Sequence, residues 1–247
     1  MHTLNIRHYA ALCLLSALAA CAPSGDEVQS AQDGLLIRDV QIVDGSGAAA
    51  YRGAVRLSGE RIVEVGDGLE PRRGETVVEG AGRVLAPGFI DTHSHADRDL
   101  LAQPDALPAV SQGITTVVTG QDGGSPYPLA EFYGKLDEQT IAINLASYVG
   151  HNTLRANVMG KDYRRPATEA EIAAMAEMLD AELDSGALGL SSGLEYEPGI
   201  YSEPGEVLTL ARLAAKRGGR YISHVRSEDR WFEQALEEII EIGRVTG

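Results

Sequence analysis

The alternation of apolar and polar positions divides this chain into three stretches. An apolar run of eleven residues, Ala10–Ala20, follows Arg7. It is too short to span a membrane, which takes about 20 residues, and is typical of a signal peptide. From Leu35 to Pro87, β-branched runs such as LLIRDVQIVDG are broken by Gly and Asp. They predict five short strands with tight turns, including a hairpin at Leu57–Ile62, and we expect part of a small β-sandwich.

After Pro87 the pattern changes to strands that alternate with helices. The clearest helix is Thr168–Ser185, where Thr168 can cap the first turn, Glu171 completes a capping box and Gly186 ends the helix. Such alternation predicts a parallel sheet, most simply a barrel. The predicted strands are Gly88–Thr92, Ile114–Thr119, Ile141–Tyr148, Ala187–Leu190 and Tyr221–Val225, and two further predicted helices are Glu206–Arg217 and Glu228–Arg244.

The length of the second region limits how much of a barrel it can form. Residues 88–247 number 160, whereas a complete (β/α)8 barrel takes about 250 residues. The fold class expected is therefore α/β: an incomplete TIM-like (β/α)8 barrel of about five βα units, preceded by part of a β-sandwich. The predicted domains are a signal peptide at 1–20, a tether at 21–34, the partial sandwich at 35–87 and the partial barrel at 88–247.

Composition and motifs exclude several classes of protein. The chain has 21 basic and 36 acidic residues and a net charge of −15. A nucleic-acid partner is not expected, because its phosphates need a basic surface. Two cysteines exclude a disulfide scaffold. A nucleotide-binding loop is not expected either, because no Gly-x-Gly-x-x-Gly or P-loop motif follows a predicted strand.

The end of the apolar run carries a processing signal. The sequence Leu18-Ala19-Ala20-Cys21 resembles the lipobox of bacterial lipoproteins. The resemblance implies that Cys21 becomes the first mature residue and is lipidated, which makes the membrane a partner through a lipid anchor. An ordinary secretory cleavage site is the alternative. We expect a bacterial cell-envelope protein, anchored in the outer membrane and facing the periplasm.

A His-x-His pair follows the first predicted strand of the second region. In the string Pro87-Gly88-Phe89-Ile90-Asp91-Thr92-His93-Ser94-His95, the period of two places both imidazoles on one face. The carboxyl ends of barrel strands are where active sites lie, and two such imidazoles can bind one zinc ion. A pair of surface-loop histidines is the alternative.

Four further motifs follow in order, and with the His-x-His string they resemble the N-acyl-D-amino-acid deacylases of the amidohydrolase superfamily. The resemblance covers about residues 35–247. It implies a metal-dependent hydrolase that uses a metal-activated water. The motifs are GITTVVTG from Gly113, GHNTLR from Gly150, GALGLSSGLEYEPG from Gly186 and YISHVRSE from Tyr221.

The resemblance also implies the metal ligands. His93, His95 and His224 match metal-binding histidines, and the cofactor expected is Zn²⁺, as one or two ions. Many family members carry a metal-binding Cys in a GNCG-like motif, where this chain has Gly120-Gln121-Asp122-Gly123. Asp122 can replace the thiolate, since zinc accepts carboxylate, although a simple Asp-Gly turn is the alternative. His224 could instead be a buried structural histidine.

Three residues are candidates for substrate binding. Tyr196 matches a tyrosine implicated in holding the substrate α-carboxylate, although an aromatic side chain packed under its loop is the alternative. His151 and Arg155 follow a predicted strand and could line the pocket. Arg155 could pair bidentately with a carboxylate, while a structural ion pair remains equally open.

The reaction implied is hydrolysis of the amide bond of N-acyl-D-amino acids, which are the small-molecule partner. The family's general-base Asp and a further His are expected beyond Gly247, so we assign no catalytic base within residues 1–247. Two alternatives remain open. One is a related amidohydrolase that acts on cyclic amides or dipeptides, and the other is a truncated, inactive lipoprotein that at most binds metal.

Overall fold

The computed structural model describes residues 34–247. The predicted signal peptide, almost all of the predicted tether and the lipidation site at Cys21 lie outside the described residues. The chain divides into two compact units between Pro87 and Gly88.

The first unit is a five-stranded sheet built on one long strand. The strands are β1 (Gly34–Ile42), β2 (Tyr51–Ser58), β3 (Arg61–Gly66), β4 (Thr76–Glu79) and β5 (Val84–Leu85). Antiparallel β2 pairs with β1 and β3, while β4 and β5 both pair with β1 in parallel. The predicted hairpin is present: Ser58 pairs with Arg61, and Gly59 takes the turn at φ +54°.

Two kinds of interaction hold this sheet. Val40, Ile42 and Val55 form a small apolar cluster. Arg56, whose side chain is 4% exposed, donates from Nε to Glu75 at 2.6 Å and also pairs with Glu64. The guanidinium needs these partners, because a buried charge without one is costly.

The second unit is built on an arc of parallel strands. Its strands are β6 (Phe89–Asp91), β7 (Ile114–Thr119), β8 (Asn144–Ser147), β9 (Val149–Gly150), β10 (Gly189–Gly193) and β11 (Arg220–His224). They form two three-stranded sheets, with the strand orders β6-β7-β8 and β9-β10-β11, and every paired strand is parallel to its neighbour. Only Tyr148 separates β8 from β9, and the Leu188 amide donates to the Ser147 carbonyl across the break at 2.9 Å. The predicted incomplete barrel with about five strand positions is therefore confirmed.

Helices follow the strands and cover the arc. They are α1 (Leu107–Val110), α2 (Leu129–Gln139), α3 (His151–Met159), α4 (Glu169–Asp184), α5 (Pro204–Lys216) and α6 (Phe232–Thr246). The main core includes Met175 and Leu179 from α4, Leu190 from β10, and Val207 and Leu210 from α5. Among residues 34–247 no helix is both long enough and apolar enough to cross a membrane.

The predicted capping of α4 is present in full. The Glu171 amide donates to Thr168 Oγ1 at 3.3 Å, and the Thr168 amide donates to Glu171 Oε2 at 2.7 Å. Gly186, at φ +95°, follows the end of the helix.

Several predicted boundaries were wrong by a few residues. The third strand begins at Asn144 rather than Ile141, and α6 begins at Phe232 rather than Glu228. Before α6, the Ser227 hydroxyl accepts hydrogen bonds from the amides of Asp229 and Trp231, which holds a turn in place of the first helical residues. The fourth strand runs over Gly189–Gly193 rather than Ala187–Leu190, because its pairing with β11 begins at Gly189.

Candidate metal centre

Three side chains converge where the first two strands of the arc end. His93 and His95 follow β6, and Asp122 follows β7, which pairs with β6 in parallel. Asp122 Oδ2 lies 3.2 Å from His93 Nε2 and 3.1 Å from His95 Nε2. The parallel pairing brings both loops to the same edge of the sheet, so residues 29 and 27 positions apart meet.

The donor atoms suit a divalent metal ion. Ligands about 2.0–2.1 Å from a tetrahedral zinc ion are separated by about 3.3 Å, close to the distances here. All three donor atoms lie within 4.8 Å of one another. The side chains are partly exposed, at 58% for His93, 38% for His95 and 20% for Asp122. Two imidazoles and one carboxylate, with a side open to solvent, form the kind of site that leaves a metal position for water or substrate.

A tight turn carries the carboxylate. Asp122 has φ +52°, between Gly120 at +70° and Gly123 at +79°. Asp tolerates the left-handed region better than most residues. A Cβ at Gly120 would lie 2.1 Å from the Tyr148 carbonyl oxygen, and one at Gly123 would lie 2.6 Å from the Gly193 amide nitrogen. The turn therefore packs closely against the Tyr148 backbone and β10, and it presents Asp122 to the histidines.

A second cluster surrounds His224 at the end of β11. His224 Nε2 lies 3.2 Å from Glu195 Oε2 and 3.5 Å from Glu228 Oε1, and these three residues form a second group of potential metal ligands. Tyr196 Oη lies 3.1 Å from His224 Nδ1. The pKa of Tyr196 is raised, first by burial of the hydroxyl and then by negative charges that include Asp122 and Glu228.

The two clusters adjoin at Gly193. A Cβ there would lie 2.1 Å from the Asp122 carbonyl oxygen and 2.9 Å from Tyr196 Cδ2. The structure thus places five of the predicted site residues at one edge of the sheet: His93, His95 and Asp122 in one cluster, His224 and Tyr196 in the other. Sequence reasoning missed Glu195 and Glu228, although both lie within the motifs that it quoted.

His151 and Arg155, the other two candidates for substrate binding, lie apart from the two clusters of potential metal ligands. Both lie on α3 and are fully buried. Glu206 Oε1 is 2.7 Å from His151 Nε2, and Arg155 Nη1 donates to both Glu206 carboxylate oxygens at 2.7 and 2.6 Å. Burial would raise the pKa of Glu206, but the hydrogen bond with His151 and the charge of Arg155 lower it. The structural ion pair, the alternative at Arg155, is the arrangement present.

Comparison with known proteins places the chain in a family. Residues 76–243 match the model described as Amidohydrolase family. The chain is 38% identical over 233 residues to a D-aminoacylase of Alcaligenes xylosoxydans xylosoxydans, covering 85% of this chain and 48% of the relative. It is 39% identical over 238 residues to an N-acyl-D-aspartate deacylase of the same organism, covering 87% of this chain and 47% of the relative.

A solved structure shows the same architecture. The N-acyl-D-glutamate deacylase of Bordetella bronchiseptica, complexed with zinc and a phosphonate that mimics the tetrahedral intermediate, superposes with a TM-score of 0.80 at 37% identity. The match covers 86% of this chain and 49% of that one. The chain thus spans about half the length of the relatives that it matches.

Proposed function

This chain belongs to the amidohydrolase family, and on that premise we propose that it supplies metal-binding and substrate-binding residues of a deacylase that hydrolyses N-acyl-D-amino acids. The observation that carries the proposal is the position of the Asp122 carboxylate, within 3.2 Å of both His93 Nε2 and His95 Nε2. Since the chain spans about half of its relatives, we propose metal binding for the described residues. Hydrolysis is proposed for the protein that also carries the other half.

Zinc is the ion that we propose, and when bound it would lower the pKa of a coordinated water towards 7 and polarise the substrate carbonyl. His93 and His95 would hold it through their Nε2 atoms. Asp122 adds a negative charge and an oxygen ligand. The Tyr196 hydroxyl, beside this edge of the sheet, donates to the carboxylate of the substrate.

The substrate class follows from the relatives rather than from a pocket. Relatives at 37–39% identity are named for the general D-aminoacylase activity, for N-acyl-D-aspartate and for N-acyl-D-glutamate. Because these identities are almost equal, we propose the shared chemistry, an N-acylated D-amino acid, and no particular side chain.

Metal binding is tested first, by titrating zinc into the chain against a chromophoric chelator. Asp122→Asn should weaken zinc binding by about tenfold or more, because losing a ligand costs at least as much as losing its supporting hydrogen bonds. Asp137→Asn is the matched control, since Asp137 is exposed on α2. Equal affinity in wild type and Asp122→Asn would contradict the proposed site.

Hydrolysis is tested on the longer protein that joins this chain to the other half of the barrel. Release of free amino acid from N-acetyl-D-amino acids is measured beside the L-enantiomers. We expect zinc-dependent release from the D-series. Release from cyclic amides alone would favour the related amidohydrolases instead.

We also propose that the protein is anchored in the bacterial envelope through a lipid at Cys21. The support is the sequence Leu18-Ala19-Ala20-Cys21 behind an apolar run. Incorporation of a labelled fatty acid in a bacterial host should be lost in Cys21→Ala and kept in Cys13→Ala. Labelling that survives in Cys21→Ala would contradict the anchor.

A further inference from the structure

We infer that Gln121 and Ser191 are positioning residues that hold the Asp122 carboxylate against His93 and His95. The inference rests on the proposed metal site and adds what determines its geometry. Neither side chain reaches solvent: Gln121 is 1% exposed and Ser191 is fully buried.

Gln121 joins the two loops that carry the ligands. Its Nε2 donates to the Thr92 carbonyl at 3.0 Å and to the Val118 carbonyl at 2.9 Å. Thr92 immediately precedes His93, and Val118 lies in β7, shortly before the turn. One buried amide group therefore ties the backbone leading to the histidines to the backbone leading to Asp122.

Ser191 of β10 holds both sides of the turn. Its hydroxyl donates to the Gly120 carbonyl and accepts from the Gly123 amide at 3.2 Å. Gly120 and Gly123 flank the Gln121-Asp122 pair, so one side chain of β10 fixes the turn before and after the carboxylate. A serine can do this because its hydroxyl is donor and acceptor at once.

The turn needs such support. Asp122 has φ +52°, in a region that non-glycine residues adopt infrequently. A residue keeps such a conformation only when its surroundings hold it there. If Asp122 relaxed towards a right-handed conformation, its side chain would leave the two imidazoles. The two buried side chains are therefore placed to set metal affinity without touching the metal.

Ser192 provides a matched control in the next position. It is equally buried, but its hydroxyl lies 2.6 Å from Tyr221 Oη and 2.9 Å from Ser223 Oγ. Successive strand residues point to opposite faces, so Ser192 faces away from the turn that Ser191 holds. Replacing either serine by alanine removes the same hydroxyl from the same strand.

The experiment measures zinc affinity of the whole chain by chelator competition, together with the visible spectrum of the Co²⁺ form and the midpoint of urea unfolding. We expect Ser191→Ala and Gln121→Met to weaken zinc binding about 10- to 100-fold, as lost support of a ligand does, and to change the Co²⁺ spectrum. Ser192→Ala should keep zinc affinity to within about threefold, even if it unfolds at lower urea.

Two further variants keep the test decisive if an alanine variant fails to fold. Ser191→Thr keeps the hydroxyl and should retain more affinity than Ser191→Ala. Gln121→Glu keeps the size but opposes two carbonyl oxygens with a carboxylate, so it should lose affinity as Gln121→Met does.

The outcomes separate this inference from the proposed function. If the wild type binds no zinc, the proposed metal site fails. If the wild type binds zinc and Ser191→Ala and Gln121→Met bind it equally well, the site stands and the positioning role is overturned. The role is also overturned if Ser192→Ala loses as much affinity as Ser191→Ala.

Discussion

At the scale of single residues, Asp122 sets the preference of the proposed site among metal ions. Two imidazoles and a carboxylate make a harder set of donors than two imidazoles and a thiolate. Carboxylate oxygen accepts zinc, and it also suits ions such as Mn²⁺. The carboxylate thus makes the site less selective for zinc than a thiolate would.

Asp122→Cys is expected to shift this balance. A thiolate favours zinc over Mn²⁺, so the ratio of the two dissociation constants should move about tenfold or more towards zinc. Competition titrations of both metals on both proteins measure it. An unchanged ratio would mean that residue 122 does not contact the metal.

The buried pair of Arg155 and Glu206 makes a second prediction. Glu206→Gln leaves the fully buried guanidinium without its anion, and breaking a buried pair in this way costs about 3–5 kcal/mol. Asp184→Asn removes the carboxylate that pairs with Arg217. Because the Asp184 side chain is 69% exposed, this change should lower the free energy of unfolding by less than about 1 kcal/mol. Urea unfolding of both variants makes the comparison, and equal losses would contradict the assignment of a structural ion pair.

At the scale of elements, α4 shows how local sequence sets a boundary. Its cap, its capping box and the glycine that follows all lie within the segment that they define. Thr168→Ala removes the side-chain acceptor for the Glu171 amide and should lower the free energy of unfolding by about 1 kcal/mol. Thr168→Ser keeps the acceptor and should stay near wild type. A similar loss in both variants would point to packing rather than capping.

The same cap predicts a dependence on pH. A hydrogen bond from Arg165, and then one from the Thr168 amide, lower the pKa of Glu171 from 4.5 to about 2. A carboxyl whose pKa is lower in the folded state stabilises folding above about pH 4.5, and this contribution is lost as the pH falls towards 2. Glu171→Gln should therefore differ from wild type more at about pH 6 than at about pH 2.5. Thermal unfolding at both values measures it, and a constant difference would contradict the shift.

At the scale of the whole molecule, metal binding should be visible as stability. A ligand that binds only the folded state adds about 2.7 kcal/mol at a concentration 100 times its dissociation constant. Zinc should therefore raise the unfolding temperature of the wild type, and a chelator should reverse the effect. The net charge is −15, so any divalent cation stabilises the folded chain somewhat by screening the repulsion between its negative charges. Magnesium at the same concentration is the control for this general effect. A rise as large in Asp122→Asn would place the binding elsewhere.

The sequence predicted the elements better than the contacts between them. The parallel arc, the hairpin at Gly59 and the cap at Thr168 follow from periods and turn residues within a few positions of one another. The boundaries that failed were set by distant partners, as where β10 pairs with β11 from Gly189 onwards. For the site, the motif resemblance named His93, His95, Asp122, His224 and Tyr196, whose roles stay predictions.

By itself, the sequence determined the alternation of strands and helices and the residues with metal-binding chemistry, because periodicity, capping and residue type are local properties. Tertiary structure decided which of those residues meet. It buried Arg155 against Glu206, 51 positions away, and it brought Asp122 to His93 across 29 positions. It also placed Ser191 beneath the Asp122 turn, 71 positions from Gly120. These contacts depend on which strands lie side by side, which no local pattern encodes.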